Sequence, residues 1–277
     1  MASRRNLALA LVGSTAVAIA AVALARSSRT HPGAQERDRI GYPPLDTPKP
    51  IGTGIWIVDG GPIRAMGTVL PIRMTIIRLR SGELLLHSPI RLTAALMEEV
   101  KALGRVAHLI APSMGHWTFL SDWQRAFPDA KTWGVPGLRD RRPVRNSDVK
   151  IEQDLGAAAP EDWAGEIRQA LITGGAGFNE AYFFHTESRT LVLTELIDNL
   201  EPGKLPSITA ALMRVARATG GTTPLHVRLA VRAGGESAKA AIQEMLALEP
   251  EHTVFAHGSW FKDRGSERLK QAFGWLI

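Results

Sequence analysis

The succession of apolar patterns from residue 54 to residue 127 constrains this chain more than any other feature. Residues 54–59 (GIWIVD) and 73–80 (RMTIIRLR) are rich in β-branched side chains and read as strands. Ser81-Gly82 is a turn signal, residues 83–87 (ELLLH) form the second arm of a hairpin, and Ser88-Pro89 ends it. Leu92, Leu96, Val100 and Leu103 then recur at helical spacing, as do Leu120, Trp123 and Phe127. Between these helices, residues 106–111 are a short apolar run of the kind buried on both faces of a sheet. Strand, strand, helix, strand, helix is the order of an α/β layered fold, because each helix must cover a face of the sheet beside it.

A short strand at residues 130–134 and the turn GVPG close this half. Strands follow at residues 150–153, 167–172, 181–185 and 190–194, the last two joined by a Glu187-Ser188 turn. Helical spacing returns at 208–216 and 238–248, then a strand at 253–256 and a closing helix at 267–275. The two halves share the scheme of strands followed by helices without a detectable repeat.

At 277 residues the chain is long enough for one large domain or two small ones. It has no cysteine, which excludes disulfides, Cys-zinc sites, iron–sulfur clusters and thiol nucleophiles. The net charge of +6 is concentrated at the start, where residues 1–50 hold seven basic and three acidic groups. The rest carries no basic stripe interleaved with aromatics, and residues 139–145 (RDRRPVR) read as a solvated loop, so no nucleic-acid partner is expected.

Residues 7–25 contain no charge and, as a helix, span about 28 Å, close to the hydrocarbon core of a bilayer. Arg4 and Arg5 precede them. The leading expectation for residues 1–25 is a single N-terminal apolar helix that anchors a domain outside the cytoplasm. The alternatives are a secretory signal cleaved after Ala23-Leu24-Ala25, giving an exported soluble protein, and a buried N-terminal helix. Residues 26–50, rich in Arg, Pro, Gly and Ser, read as a linker, and the domain is expected over residues 51–277.

Most catalytic signatures are missing: there is no G-x-x-x-x-G-K-[ST], G-x-S-x-G or H-E-x-x-H. Gly174-Gly175-Ala176-Gly177 lacks dinucleotide spacing and reads as a turn. Ser237-Ala238-Lys239 lacks the spacing of a Ser-x-x-Lys nucleophile and reads as a helix start. No two of the eight histidines lie closer than five residues, so any metal needs ligands from distant segments.

The hairpin ending in ELLLHSP, the helix, the strand HLIAP, a polar loop and WTFLSDWQRAFPDA together resemble the N-terminal half of the metallo-β-lactamase fold. HWTFLSDWQRAFPDAKTWGVPGLRD, FFHTESRTLVLTE and FAHG are similar to a domain-of-unknown-function branch of that superfamily, over about residues 52–260. The resemblance implies a four-layer αββα sandwich. It also implies a metal loop H-x-H-x-D-H after the strand HLIA. In that register Pro112 and Met114 stand in place of the first two histidines, His116 in place of the aspartate, and Trp117 in place of the last histidine. The superfamily's next histidine falls in residues 173–179 (TGGAGFN), which have none. Its bridging aspartate has Glu195 one position early and Asp198 two late, and its strand-end His-Gly is matched by His257-Gly258.

The resemblance therefore implies no di-zinc centre, and leaves room for a single metal ion on His116, Glu195 or Asp198, and His257. Glu180 and His185, on the preceding strand, are candidates to orient those ligands. Beyond that single ion the cofactor is unknown, and no cofactor-binding residues are assigned. Each residue has a structural alternative: His116 as a cap of the helix near Trp117, His257 as a turn residue, Glu195 and Asp198 as a solvated strand end, and His185 as a strand terminus. His87 and His108 read as core or edge histidines, and Trp117, Trp123, Trp133 and Trp163 as core. Two functions remain open. One is a binding or scaffolding domain at a membrane, its protein or small-molecule partner unknown. The other is a hydrolase with an altered site, where His116 and His257 act as metal ligands or as catalytic base and acid.

Overall fold

The computed structural model describes residues 34–65 and 67–277. The anchor, the signal cleavage and the apolar helix expected over residues 1–25 lie outside the described residues. Within them, no helix is long and apolar enough to cross a membrane.

Two sheets form a mixed α/β fold. The first has seven strands in sequence order: β1 (Lys49–Gly52), β2 (Ile55–Ala65), β3 (Thr68–Arg78), β4 (Glu83–His87), β5 (Arg105–Ala111), β6 (Lys131–Gly134) and β7 (Gln153–Asp154). β1 to β4 are antiparallel, and β4 to β7 are parallel. The second sheet has the order β11 (His252–Val254), β10 (Thr190–Val192), β9 (Asn179–His185), β8 (Ile167–Thr173). Here β10 and β11 are parallel, and β9 runs antiparallel to both its neighbours.

The helices are α1 (Ala34–Ile40), α2 (Ala94–Leu103), α3 (Leu120–Ala126), α4 (Arg142–Arg145), α5 (Ser207–Val215), α6 (Leu225–Ala233), α7 (Gly235–Leu246) and α8 (Gly265–Ala272). Thr93 caps α2 through Leu96 N–H, and the helix turns Leu96 and Val100 inward, as their spacing of four requires. α2 and α3 pack on β5, and α7 packs on β8. The largest core cluster draws on both sheets, with Met74, Ile76 and Leu86 from the first and Ala181, Phe183 and Val192 from the second. A second cluster joins Tyr182, Phe184 and Leu191 to Val227, Ile242 and Leu269 of α6, α7 and α8.

Two boundaries differ from expectation. From Ala34 onward the stretch expected as linker is folded. Ile40 is fully buried with Val69, Leu200 and Leu205, Arg37 pairs with Asp46, and Lys49 pairs with Asp59. One anchoring side chain and two ion pairs hold a segment that shows no apolar period. The strand expected at 150–153 shrinks to Gln153–Asp154. Residues 139–145 include the short helix α4, which places Pro143 in its first turn, where a missing N–H costs nothing.

His87 and the four tryptophans are core, as read. The His87 ring stands edge-on to Phe183 at 5.1 Å, and its Nε2 has no hydrogen-bond partner among the described residues. Burial, and then the charge of His116, brings this imidazole down to about 3. The unfolded chain therefore binds the extra proton between about pH 6.5 and 3, and stability falls as the pH drops through that window. His87→Leu is expected to be near neutral at pH 7. Near pH 4 it should be more stable than the parent by about 3 kcal/mol, measured by urea denaturation. A parent–variant difference that does not change with pH would remove His87 from the acid response.

Candidate metal centre

The parallel strands β4, β5, β10 and β11 deliver their C-terminal ends to one edge, and the candidate residues follow those ends. Ser88 follows β4, the loop Ser113 to His116 follows β5, Glu195 follows β10, and His257 follows β11. Such an edge is where open α/β sheets leave a crevice for ligands. There, one ligand atom each from His116, Glu195 and His257 lie within 4.8 Å of one another. Among the described residues no other group of three His, Cys, Asp or Glu side chains meets that condition.

Each member is held by a separate device. His257 Nδ1 lies 2.7 Å from the carbonyl oxygen of Pro71. A carbonyl can only accept, so the neutral ring carries its proton on Nδ1 and keeps a lone pair on Nε2. Burial, and then the charge of His116, lowers the His257 pKa and favours that neutral ring. The His116 ring lies 5.3 Å away, with Nδ1 at 2.7 Å from Ser88 Oγ and Nε2 at 3.1 Å from Glu195 Oε1. A hydroxyl can donate or accept, so Ser88 supports either tautomer of His116, including the one that frees Nε2. Ser88 takes φ of 57°, a strained conformation for a residue other than glycine.

Glu195 is set by its neighbours. Glu180 accepts the backbone N–H groups of Thr194 and Glu195 at 2.7 and 2.9 Å, which fixes the turn after β10. Burial alone would raise the Glu195 carboxyl. The His116 hydrogen bond and the charges of His116, His257 and His226 instead bring it to about 2, so it is ionised. Gly115 leaves room for it, since a Cβ there would lie 2.9 Å from Oε1. Glu180 itself is fully buried, and burial pushes it up to about 8 against the pull of its two N–H donors.

Several expectations change. The carboxylate of the group is Glu195, not Asp198. Asp198 has its Oδ1 buried without a hydrogen-bond partner among the described residues, and burial followed by the charges of Glu195 and Glu180 raises its pKa well above the usual range. His185 does not reach this group. β9 starts at the site with Glu180 and carries His185 to the opposite edge, about 17 Å further on, where its Nδ1 meets Ser188 Oγ at 2.8 Å. His116 does not cap a helix, because the N-cap position of α3 is Phe119 and no side chain caps it.

Three residues of the site escape a sequence reading. Ser88 looks like part of a strand-breaking Ser-Pro. Arg73 sits in a strand pattern, yet its Nη1 donates to Phe255 O at 2.9 Å and Gly258 O at 2.8 Å, on either side of His257. His226 lies on α6, a helix not anticipated, and its charge acts on Glu195. A serine closing a strand ahead of proline, beside a candidate metal loop, is the one available signal among these.

Among the described residues, this group of three fits a single ion. Besides this group, the metal-loop positions hold Trp117, packed in the core, Met114, packed against it, and Pro112, whose carbonyl bonds Ala181 N–H. None offers an imidazole or a carboxylate.

Comparison with solved structures places the fold. A metallo-beta-lactamase from Pontibacter korlensis is similar with a TM-score of 0.55 and 15% identity, covering 83% of this chain and 97% of that one. One from Hirschia baltica gives 0.53 and 12%, covering 81% and 94%. The metallo-beta-lactamase FIM-1 from Pseudomonas aeruginosa, in its mono-zinc form, gives 0.53 and 12%, covering 82% and 92%. At these identities the likeness speaks for the fold alone. A search of curated protein sequences finds no match. A family model described as a domain of unknown function (DUF4336) matches residues 54–273. With its metallo-β-lactamase fold and a match over that span, the chain belongs to the DUF4336 family.

Proposed function

We propose that this protein is a hydrolase that holds one divalent transition-metal ion on His116, Glu195 and His257. The observation that carries this is the convergence of two imidazoles and an ionised carboxylate within 4.8 Å, one imidazole fixed with its lone pair free. A purely scaffolding domain has no need of three such groups held by separate devices. FIM-1 in its mono-zinc form gives a parallel on the same fold. A bound ion would supply Lewis-acid polarisation and acidify water near neutral pH.

The chain's own residues do the rest. Pro71 O and Ser88 orient the two rings, Glu180 holds the Glu195 turn, and Glu195 contributes a negative charge that offsets part of the ion's. Ser88, Oγ toward His116, also suggests a metal-free Ser–His–Glu array. It is 2% exposed and bonded to His116, which supports a role in positioning that ring. The same reading holds the domain at a membrane through residues 7–25, supported by their freedom from charge and their length.

The test is metal content of the purified full-length chain after exposure to zinc, manganese and iron. One equivalent is expected, absent in His257→Ala and Glu195→Gln and retained in Asp198→Asn. Ser88→Ala should weaken affinity about 10–100-fold, as expected for a residue that orients a ligand. A chain that takes up no metal overturns the proposal. Metal uptake without chelator-sensitive cleavage of ester, amide or phosphoester substrates would return the domain to a binding role.

A further inference from the structure

α5 and α6 present an apolar face that nothing in the described chain covers. α5 turns Thr209 and Ala210 inward, which leaves Ile208, Leu212 and Val215 on its outer side, with Ile208 79% and Val215 78% exposed. α6 buries Val227 and Val231 and exposes Leu225 and Leu229. The helices meet end to start, where Leu225 N–H donates to Ala216 O at 2.8 Å, so the exposed residues lie on helices that adjoin there. Charge on this segment has one sign. Lys204, Arg214, Arg217, Arg228 and Arg232 fall between Glu201 and Glu236, with no acidic residue among them. Arg217, Arg228 and Arg232 are close enough that, after burial, their mutual repulsion lowers the Arg228 pKa.

We infer that the α5–α6 face docks on an anionic lipid bilayer, its exposed leucine, isoleucine and valine side chains entering the interface and its arginines meeting lipid phosphates. Apolar anchors flanked by basic side chains are the composition that binds such surfaces. A second copy of this chain would bring like charges together. Residues 7–25 carry no charge to neutralise the arginines. The inference needs neither the metal nor an anchor at residues 7–25.

The lack of cysteine makes the test direct. Leu212→Cys and Leu229→Cys, both at exposed positions, are labelled with an environment-sensitive fluorophore in the full chain. Glu99→Cys, on α2 against the other sheet, is the reference. On vesicles of phosphatidylglycerol and phosphatidylcholine, the labels at 212 and 229 should shift to the blue and be quenched by nitroxide lipid, while the label at 99 should not. Phosphatidylcholine alone, or high salt, should reduce the effect. Arg214→Gln and Arg217→Gln should each lower the docked-to-undocked ratio about fivefold. Quenching at 212 and 229 no greater than at 99 overturns the inference. So does burial of these labels without lipid, whether it grows with protein concentration (a second copy) or not (another segment of the chain).

Discussion

Arg73→Met is expected to destabilise the protein by about 3–5 kcal/mol and to loosen the proposed metal centre with it. Arg73 is 3% exposed on β3, with Nη2 2.7 Å from Asp59 Oδ1 and Nη1 shared between Phe255 O and Gly258 O. Methionine fills much of the volume but leaves Asp59, itself 2% exposed, with Lys49 as its only ion-pair partner among the described residues. It also strips two carbonyls of their donor. The cost is that of a charge left poorly paired in a low-dielectric interior, not the value of the pair itself. Arg73→Met with Asp59→Leu should therefore recover part of the loss. The carbonyls make a second effect. They flank His257, so metal affinity should fall in both variants, whereas stability recovers only in the double one. Urea denaturation and metal titration together separate the two. A single variant within about 1 kcal/mol of the parent, with metal affinity intact, would show that the arginine neither stabilises the core nor holds the His257 loop.

The sequence makes the first half of the fold legible because its elements obey clean periods. α2 and α3 repeat every three or four residues, and β4 and β5 are short apolar runs bounded by turns. α6 fails for the opposite reason. Its apolar residues 225, 227, 229 and 231 alternate, a strand-like period of two, and only Val227 and Val231 are buried. Leu225 and Leu229, exposed, supply the misleading half of the pattern. α1 is hidden because a single residue, Ile40, anchors seven. The site divides in the same way. His116 and His257 are legible as residues standing at strand ends in a familiar register. Glu195 and Asp198 cannot be separated by register, because what selects between them is Glu180 pinning the turn from another strand, fourteen residues away for Thr194 N–H and fifteen for Glu195 N–H.

Gly258→Ala should cost about 2–5 kcal/mol, the sum of a strained backbone and an overpacked contact. Gly258 has φ of 94°, a conformation that side chains rarely adopt. A Cβ there would lie 2.1 Å from Asn199 O and 2.3 Å from its carbonyl carbon. Both are backbone atoms and cannot rotate away. Asn199 grips this turn from three directions: its N–H donates to His257 O, its O accepts from Ser259 N–H, and its side-chain amide donates to Ser259 O. To admit the methyl group the turn must lift from Asn199, and His257 moves with it, away from Pro71 O and out of reach of His116 and Glu195. Metal affinity should then fall by at least the roughly 10–100-fold expected from an orienting residue. Asn199→Ala provides the comparison. It removes the side-chain amide and leaves the backbone contacts, so it should cost only about 1 kcal/mol and keep the ion. If Gly258→Ala binds metal as the parent does, the His-Gly turn is not what sets the ligand, and His257 must be held by Pro71 and Arg73 alone.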